Sequence, residues 1–135
     1  MKVRCIADKL SAEQKLILGM PESQNPNYQI TVGMIYTVLG ISYQTQSNYC
    51  NGIMLEIQED QKESCISIPL SLFEVVDPRV SRYWIARQEK YDMTLWPKEF
   101  YTAFFHDDLT DGIKEVMEIY RRVANNIESE FDIEN

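Results

Sequence analysis

The chain has 135 residues, 44% of them hydrophobic and 25% charged, and a net charge of −8. That is enough apolar material for one domain with a buried core, and too much for a disordered chain. The acidic balance, with no long lysine/arginine run, excludes a phosphate-backbone binder, because nucleic-acid modules need a basic face that releases counterions.

No stretch approaches the length of a membrane-spanning helix, and Met1 to Arg4 lead into a mixed strand rather than an apolar signal sequence. A cytoplasmic protein without membrane or nucleic-acid partners is expected. The odd cysteine count, Cys5, Cys50 and Cys65 with no Cys-x-x-Cys, fits a reducing compartment and small buried side chains rather than a disulfide frame or a zinc knuckle.

In chain order, residues 3–7 read as a first short strand. Ser11 with Gln14 three residues on makes a capping-box pattern, Leu16, Ile17 and Leu18 give the following helix an apolar side, and Gly19 and Pro21 stop it. Residues 21–27 are a connector. Residues 28–41 alternate through Ile30, Val32, Met34, Tyr36 and Val38 and predict one long, largely buried strand, with a bulge, bend or close approach at Gly33 and Gly40.

A polar turn and Asn51-Gly52 lead into residues 53–58, where Ile53, Leu55 and Ile57 alternate with Met54, Glu56 and Gln58. That pattern predicts a strand with one buried face. Residues 59–64 form an exposed hairpin loop, residues 65–68 return from it, and Pro69 ends the return. Residues 70–76 bend into a further short strand closed by Asp77-Pro78. Residues 83–87 predict another strand, and residues 88–94 a turn.

The last third is helical by pattern. Trp96-Pro97 opens a short helix, since proline suits a first turn whose amide is unpaired anyway. Phe100, Tyr101, Phe104 and Phe105 make one of its faces aromatic, and His106-Asp107-Asp108 ends it. Asp108 or Thr110 is placed to cap the final helix, whose apolar stripe is Ile113, Val116, Met117, Tyr120, Ala124, Ile127 and Phe131. That helix must lie across the sheet or against the aromatic helix. The expected fold is a single α+β domain over residues 1–135: a small, strongly bent antiparallel sheet, barrel-like in the manner of an SH3-like fold, followed by two C-terminal helices. A flat sheet under the helices is the competing arrangement.

The chemistry on offer is sparse. His106 is the only histidine, which excludes a multi-histidine metal site; with Asp107 and Asp108 it reads as a helix-end cluster. No nucleophile elbow or glycine-rich phosphate loop is present. No catalytic residue, metal or cofactor is therefore expected.

Two surfaces qualify for a protein partner. Arg79 and Arg82 beside Trp84 form an arginine–aromatic patch, or else Trp84 is core and the arginines lie along it with their heads in water. Asp107, Asp108 and Asp111 begin an acidic segment, residues 107–135, with nine acids against Lys114, Arg121 and Arg122. Such a segment either steers a basic partner or is a solvated helix face with an acidic tail.

The run Gly33-Met-Ile-Tyr-Thr-Val-Leu-Gly-Ile41, then Ile66-Ser-Ile-Pro-Leu-Ser-Leu-Phe-Glu-Val-Val-Asp77, Val80-Ser-Arg-Tyr-Trp84 and Trp96-Pro-Lys-Glu-Phe100, resembles a group of small bacterial proteins without assigned chemistry. Some of these are similar to immunity proteins of polymorphic toxin systems. The resemblance covers about the middle two thirds of the chain, rests on structural-looking residues and transfers no active site. It implies a non-enzymatic, acidic, single-domain inhibitor that blocks a toxin by covering it. The competing expectation is a small-molecule-binding or enzymatic domain with a pocket between the sheet and the aromatic helix.

Overall fold

The computed structural model describes residues 1–132; Glu134, counted above among the acids, lies outside them. Among the described residues, eight strands form two separate antiparallel sheets. The smaller contains β1 (Lys2–Cys5), β2 (Ile35–Thr37) and β6 (Phe73–Asp77) in the order β2-β1-β6. The larger contains β3 (Gly40–Gln44), β4 (Gly52–Gln58), β5 (Cys65–Pro69), β7 (Trp84–Glu89) and β8 (Asp92–Pro97) in the order β5-β4-β3-β8-β7. The α+β class and the C-terminal helices are as expected, but no barrel forms: β5 and β7 remain the two edges of an open sheet.

The long strand expected over residues 28–41 is broken. Thr31 N donates to the Tyr36 hydroxyl (2.8 Å), which in turn donates to Asp60 Oδ1 (2.7 Å), and Gly33 takes φ +92°. Side-chain hydrogen bonds thus replace a strand ladder there. The chain changes sheets between Val38, whose amide donates to Met1 O, and Leu39, whose amide donates to Glu56 O.

The turn expected over residues 88–94 is only its tip, Lys90-Tyr91, with Lys90 at φ +55°; Asp92 already pairs with Glu89. Composition gives no warning that the turn is so tight, because the left-handed position carries lysine rather than glycine or asparagine. Trp96 and Pro97 therefore close β8 instead of opening a helix.

A 3-10 turn (Lys98–Tyr101) follows, and then α2 (Phe105–Thr110) and α3 (Lys114–Ser129). His106, Asp107 and Asp108 belong to the opening of α2 rather than ending the aromatic segment. The cap of α3 is Ile113, without a side-chain hydrogen bond, so neither Asp108 nor Thr110 serves there. At the other end of the chain, α1 (Ala12–Leu18) has the reciprocal Ser11–Gln14 capping box and a left-handed Gly19. Its inward face differs from the expectation: Leu18 and Lys15 are buried, Leu16 and Ile17 exposed. The Lys15 ammonium is satisfied by Asn25 Oδ1 (2.7 Å) and Glu22 O (3.3 Å).

The large sheet is covered on both faces. One face packs Leu55, Ile57 and Ile68 against Val3, Cys5 and Phe73 of the small sheet. The other meets the helices through Cys65, Phe100, Phe105, Leu109, Tyr120, Val123 and Ile127. Tyr120 and Ile127 of the expected α3 stripe are fully buried; Val123, absent from that stripe, joins them, while Ile113 is exposed.

Gly40 lies close against β8, its neighbour in the large sheet. A Cβ there would lie 2.7 Å from Trp96 Cδ1 and 3.2 Å from Leu95 O. Gly40→Ala is expected to lower the unfolding free energy by about 1–3 kcal/mol in urea titrations, as overpacking does.

Candidate functional site

The helix-covered face of the large sheet is unexpectedly polar. The registers Glu56↔Gly40, Glu56↔Ser67 and Ser42↔Thr94 place Ser42, Glu56, Ser67 and Thr94 on one face, with Cys65 diagonal to Glu56. Glu56 is only 3% exposed. Ser67 Oγ donates to its Oε1 (2.9 Å), while its Oε2 lies 4.0 Å from His106 Nε2, projected from α2. Glu56 Oε2, His106 Nε2, Ser42 Oγ and Trp96 Nε1 are all buried and have no hydrogen-bond partner. Buried polar atoms in that condition carry a desolvation penalty that folding alone does not recover.

The Cys65 sulfur completes a group in which one atom each of Glu56, Cys65 and His106 lies within 4.8 Å of the other two. Burial first, and then the neighbouring Glu56 charge, pushes the Cys65 thiol well above its ordinary range. The His106 ring is held between aromatic neighbours, 4.9 Å from Trp96 and 5.3 Å from Phe100 between ring centres.

Two concavities flank this group. A cavity of about 430 Å³ opens between the sheet and the aromatic segment, lined by Ser42, Ser67, Arg87, Thr94, Trp96 and Tyr101 among others. The Arg87 guanidinium stands 4.0 Å over the Tyr101 ring, and the Tyr101 hydroxyl donates to Ile85 O (2.7 Å), so the side wall is fixed.

On the outer side, a depression of about 320 Å³ is bordered by Trp96, Tyr101, Phe104 and His106. Phe104 is 74% exposed and takes φ +63°. A non-glycine residue in the left-handed region is uncommon and strained. Across the sheet, on the face that packs against the small sheet, Ile53, Tyr43 and Met93 are cross-strand neighbours and form a second exposed apolar row.

The residues chosen from sequence fall into two groups. Arg79 forms a double contact with Asp77, Nε to Oδ1 (3.0 Å) and Nη2 to Oδ2 (2.7 Å), and lies 4.1 Å over the Phe131 ring. Those hydrogen bonds hold the Asp77 carboxyl well below the usual carboxylate range. Arg82 donates through Nη2 to the Tyr83 hydroxyl (3.1 Å), and its backbone amide donates to Glu130 Oε2 (3.2 Å). Trp84 is half-buried against the core between the sheets, its indole N–H donating to Leu39 O (3.0 Å).

Asp107 and Asp108 occupy the first turn of α2, and Asp111 caps its C-terminus; Asp107 and Asp111 are exposed. Arg82 thus meets the residue after α3, while Asp111 precedes α3, and a helix of 16 residues separates them by about 24 Å. The arginines and the aspartates do not form one patch.

Glu56, Cys65 and Ser42 were missed by sequence reasoning. Glu56 reads as the solvent side of a one-faced strand. The available signal was the final helix: a stripe that must cover the sheet buries that side too. Compared with family models, curated proteins and solved structures, the chain matches none of them.

Proposed function

We propose that the chain is a non-enzymatic binding protein of the immunity type, acting in a bacterial cytoplasm, which neutralises a toxin by docking on it through the start of α2. The observation that carries this reading is Phe104, an aromatic side chain 74% exposed and held at φ +63°. A left-handed conformation costs a non-glycine residue about 1–2 kcal/mol, and strain of this kind clusters at functional sites. Aromatic side chains, phenylalanine among them, are enriched in protein interfaces relative to the rest of the surface. The flanking Asp107, Asp108 and Asp111, on a chain of net charge −8, favour a basic partner and speed its approach.

A stoichiometric complex is expected with the product of an adjacent toxin-like gene, with an association rate that falls steeply as salt is raised. Absence of a complex, or a rate indifferent to salt, contradicts the reading.

A second reading rests on the cavity of about 430 Å³, whose lining includes the buried, unpartnered Ser42 Oγ and Trp96 Nε1. In that reading the domain binds a small polar ligand between sheet and aromatic segment. A thermal-shift screen across metabolite classes separates the two, since a ligand that binds only the folded chain raises its melting temperature. A flat response leaves the protein-binding reading.

A further inference from the structure

We propose that Glu56, Cys65 and His106 form a binding site for a zinc ion. The three side chains come from three elements, β4, β5 and α2, and each brings one donor atom to a common point, all within 4.8 Å of one another. Glu56 is 97% buried by its 3% exposure, and its Oε2 has no hydrogen-bond donor; His106 Nε2, 4.0 Å away, is buried and equally without a partner. Ser67 Oγ holds the other carboxylate oxygen, Oε1, at 2.9 Å, which fixes the direction in which Oε2 points. Such an outer hydrogen bond is how ligating carboxylates are oriented.

The donor types select the ion. A thiolate and an imidazole beside one carboxylate suit zinc and are poor ligands for calcium or magnesium, which take oxygen. Charge agrees: one carboxylate and one thiolate are balanced by a divalent cation, in a core where an unbalanced charge is expensive. Bonds of about 2.0–2.3 Å give a tetrahedral site with donors roughly 3.5 Å apart. The observed spacing is somewhat longer, so binding would draw the His106 side chain, 32% exposed, toward Glu56 and Cys65. Three protein ligands leave a fourth position, as in zinc sites that bind a further ligand.

The test is titration of the purified full chain, after treatment with a chelator, with zinc and with cobalt(II). One zinc per chain is expected, with a rise in melting temperature. Cobalt is expected to give a thiolate-to-cobalt charge-transfer band, lost in Cys65→Ser and retained in Cys50→Ser, whose sulfur lies in a separate core cluster. If Cys65→Ser does not fold, His106→Gln provides the reading: a folded variant is expected to bind zinc at least about tenfold more weakly. No stoichiometric zinc, a cobalt adduct without a thiolate band, a band that survives Cys65→Ser, or unchanged zinc affinity in folded His106→Gln would each overturn the site.

Discussion

Phe100→Ala is expected to remove about 3–5 kcal/mol from the unfolding free energy, a large part of the roughly 5–15 kcal/mol that holds a domain together. Phe100 is 2% exposed and lies at the centre of the helix-side core. Its ring is 5.1 Å from Phe105, 6.4 Å from Tyr120 and 6.5 Å from Trp96, so it ties the 3-10 turn to β8, α2 and α3 at once. Truncation leaves a cavity bounded by rigid rings that cannot collapse into it, which places the loss at the upper end for such changes. The Tyr120 hydroxyl, donating to Gln58 Oε1 (2.7 Å), holds α3 to β4 but does not refill the space. Urea titration should show a lower midpoint with an unchanged slope. A loss below about 1 kcal/mol would mean that the helices are held by something other than this cluster.

The second large effect has the opposite sign. The double substitution Glu56→Met with His106→Phe is expected to raise the stability of the metal-free protein by about 1–4 kcal/mol, the range seen when buried ionic groups are replaced by apolar ones of similar size. Methionine follows the shape of the glutamate stem, and phenylalanine enters a setting already made by Trp96, Phe100 and Phe105. Two buried atoms without partners, Glu56 Oε2 and His106 Nε2, disappear together. Glu56→Met alone should instead destabilise by about 1–3 kcal/mol, because the buried His106 Nε2 then loses the carboxylate that faces it at 4.0 Å and keeps no compensating group. Stabilisation by the double variant marks the pair as kept for binding rather than for folding. A double variant less stable than the natural chain would show that the pair holds the layers together.

Much of the architecture is legible in the sequence, and the failures have local causes. The Ser11–Gln14 box, the hairpin over residues 59–64 and the final helix were readable because periodicity and capping chemistry agree there. Strand β8 was not, because Lys90 takes a left-handed turn position that composition assigns to glycine or asparagine. The strand β2 region read as too long because Tyr36, Thr31 and Asp60 form a side-chain network across distant segments.

The site was least legible of all. Alternation on residues 53–58 reports a period of two and not what lies over each face, so Glu56 reads as a solvent residue although the helices cover it. His106 and Asp107 were readable as neighbours in sequence. His106 reaches Glu56 and Cys65 from α2, whose N-cap is the left-handed Phe104, a feature without a sequence signature.

Phe104→Gly tests the binding reading most directly, because it separates folding from recognition. Glycine accepts φ +63° without strain, so the variant should fold with stability equal to that of the natural chain or up to about 1 kcal/mol higher. Its affinity for a toxin partner of the proposed kind, measured by calorimetry, should fall by a factor of about 30 or more, the loss of an aromatic anchor worth about 2 kcal/mol. An affinity within about threefold of the natural chain's, on the scale where tenfold is 1.4 kcal/mol, would contradict docking through the start of α2.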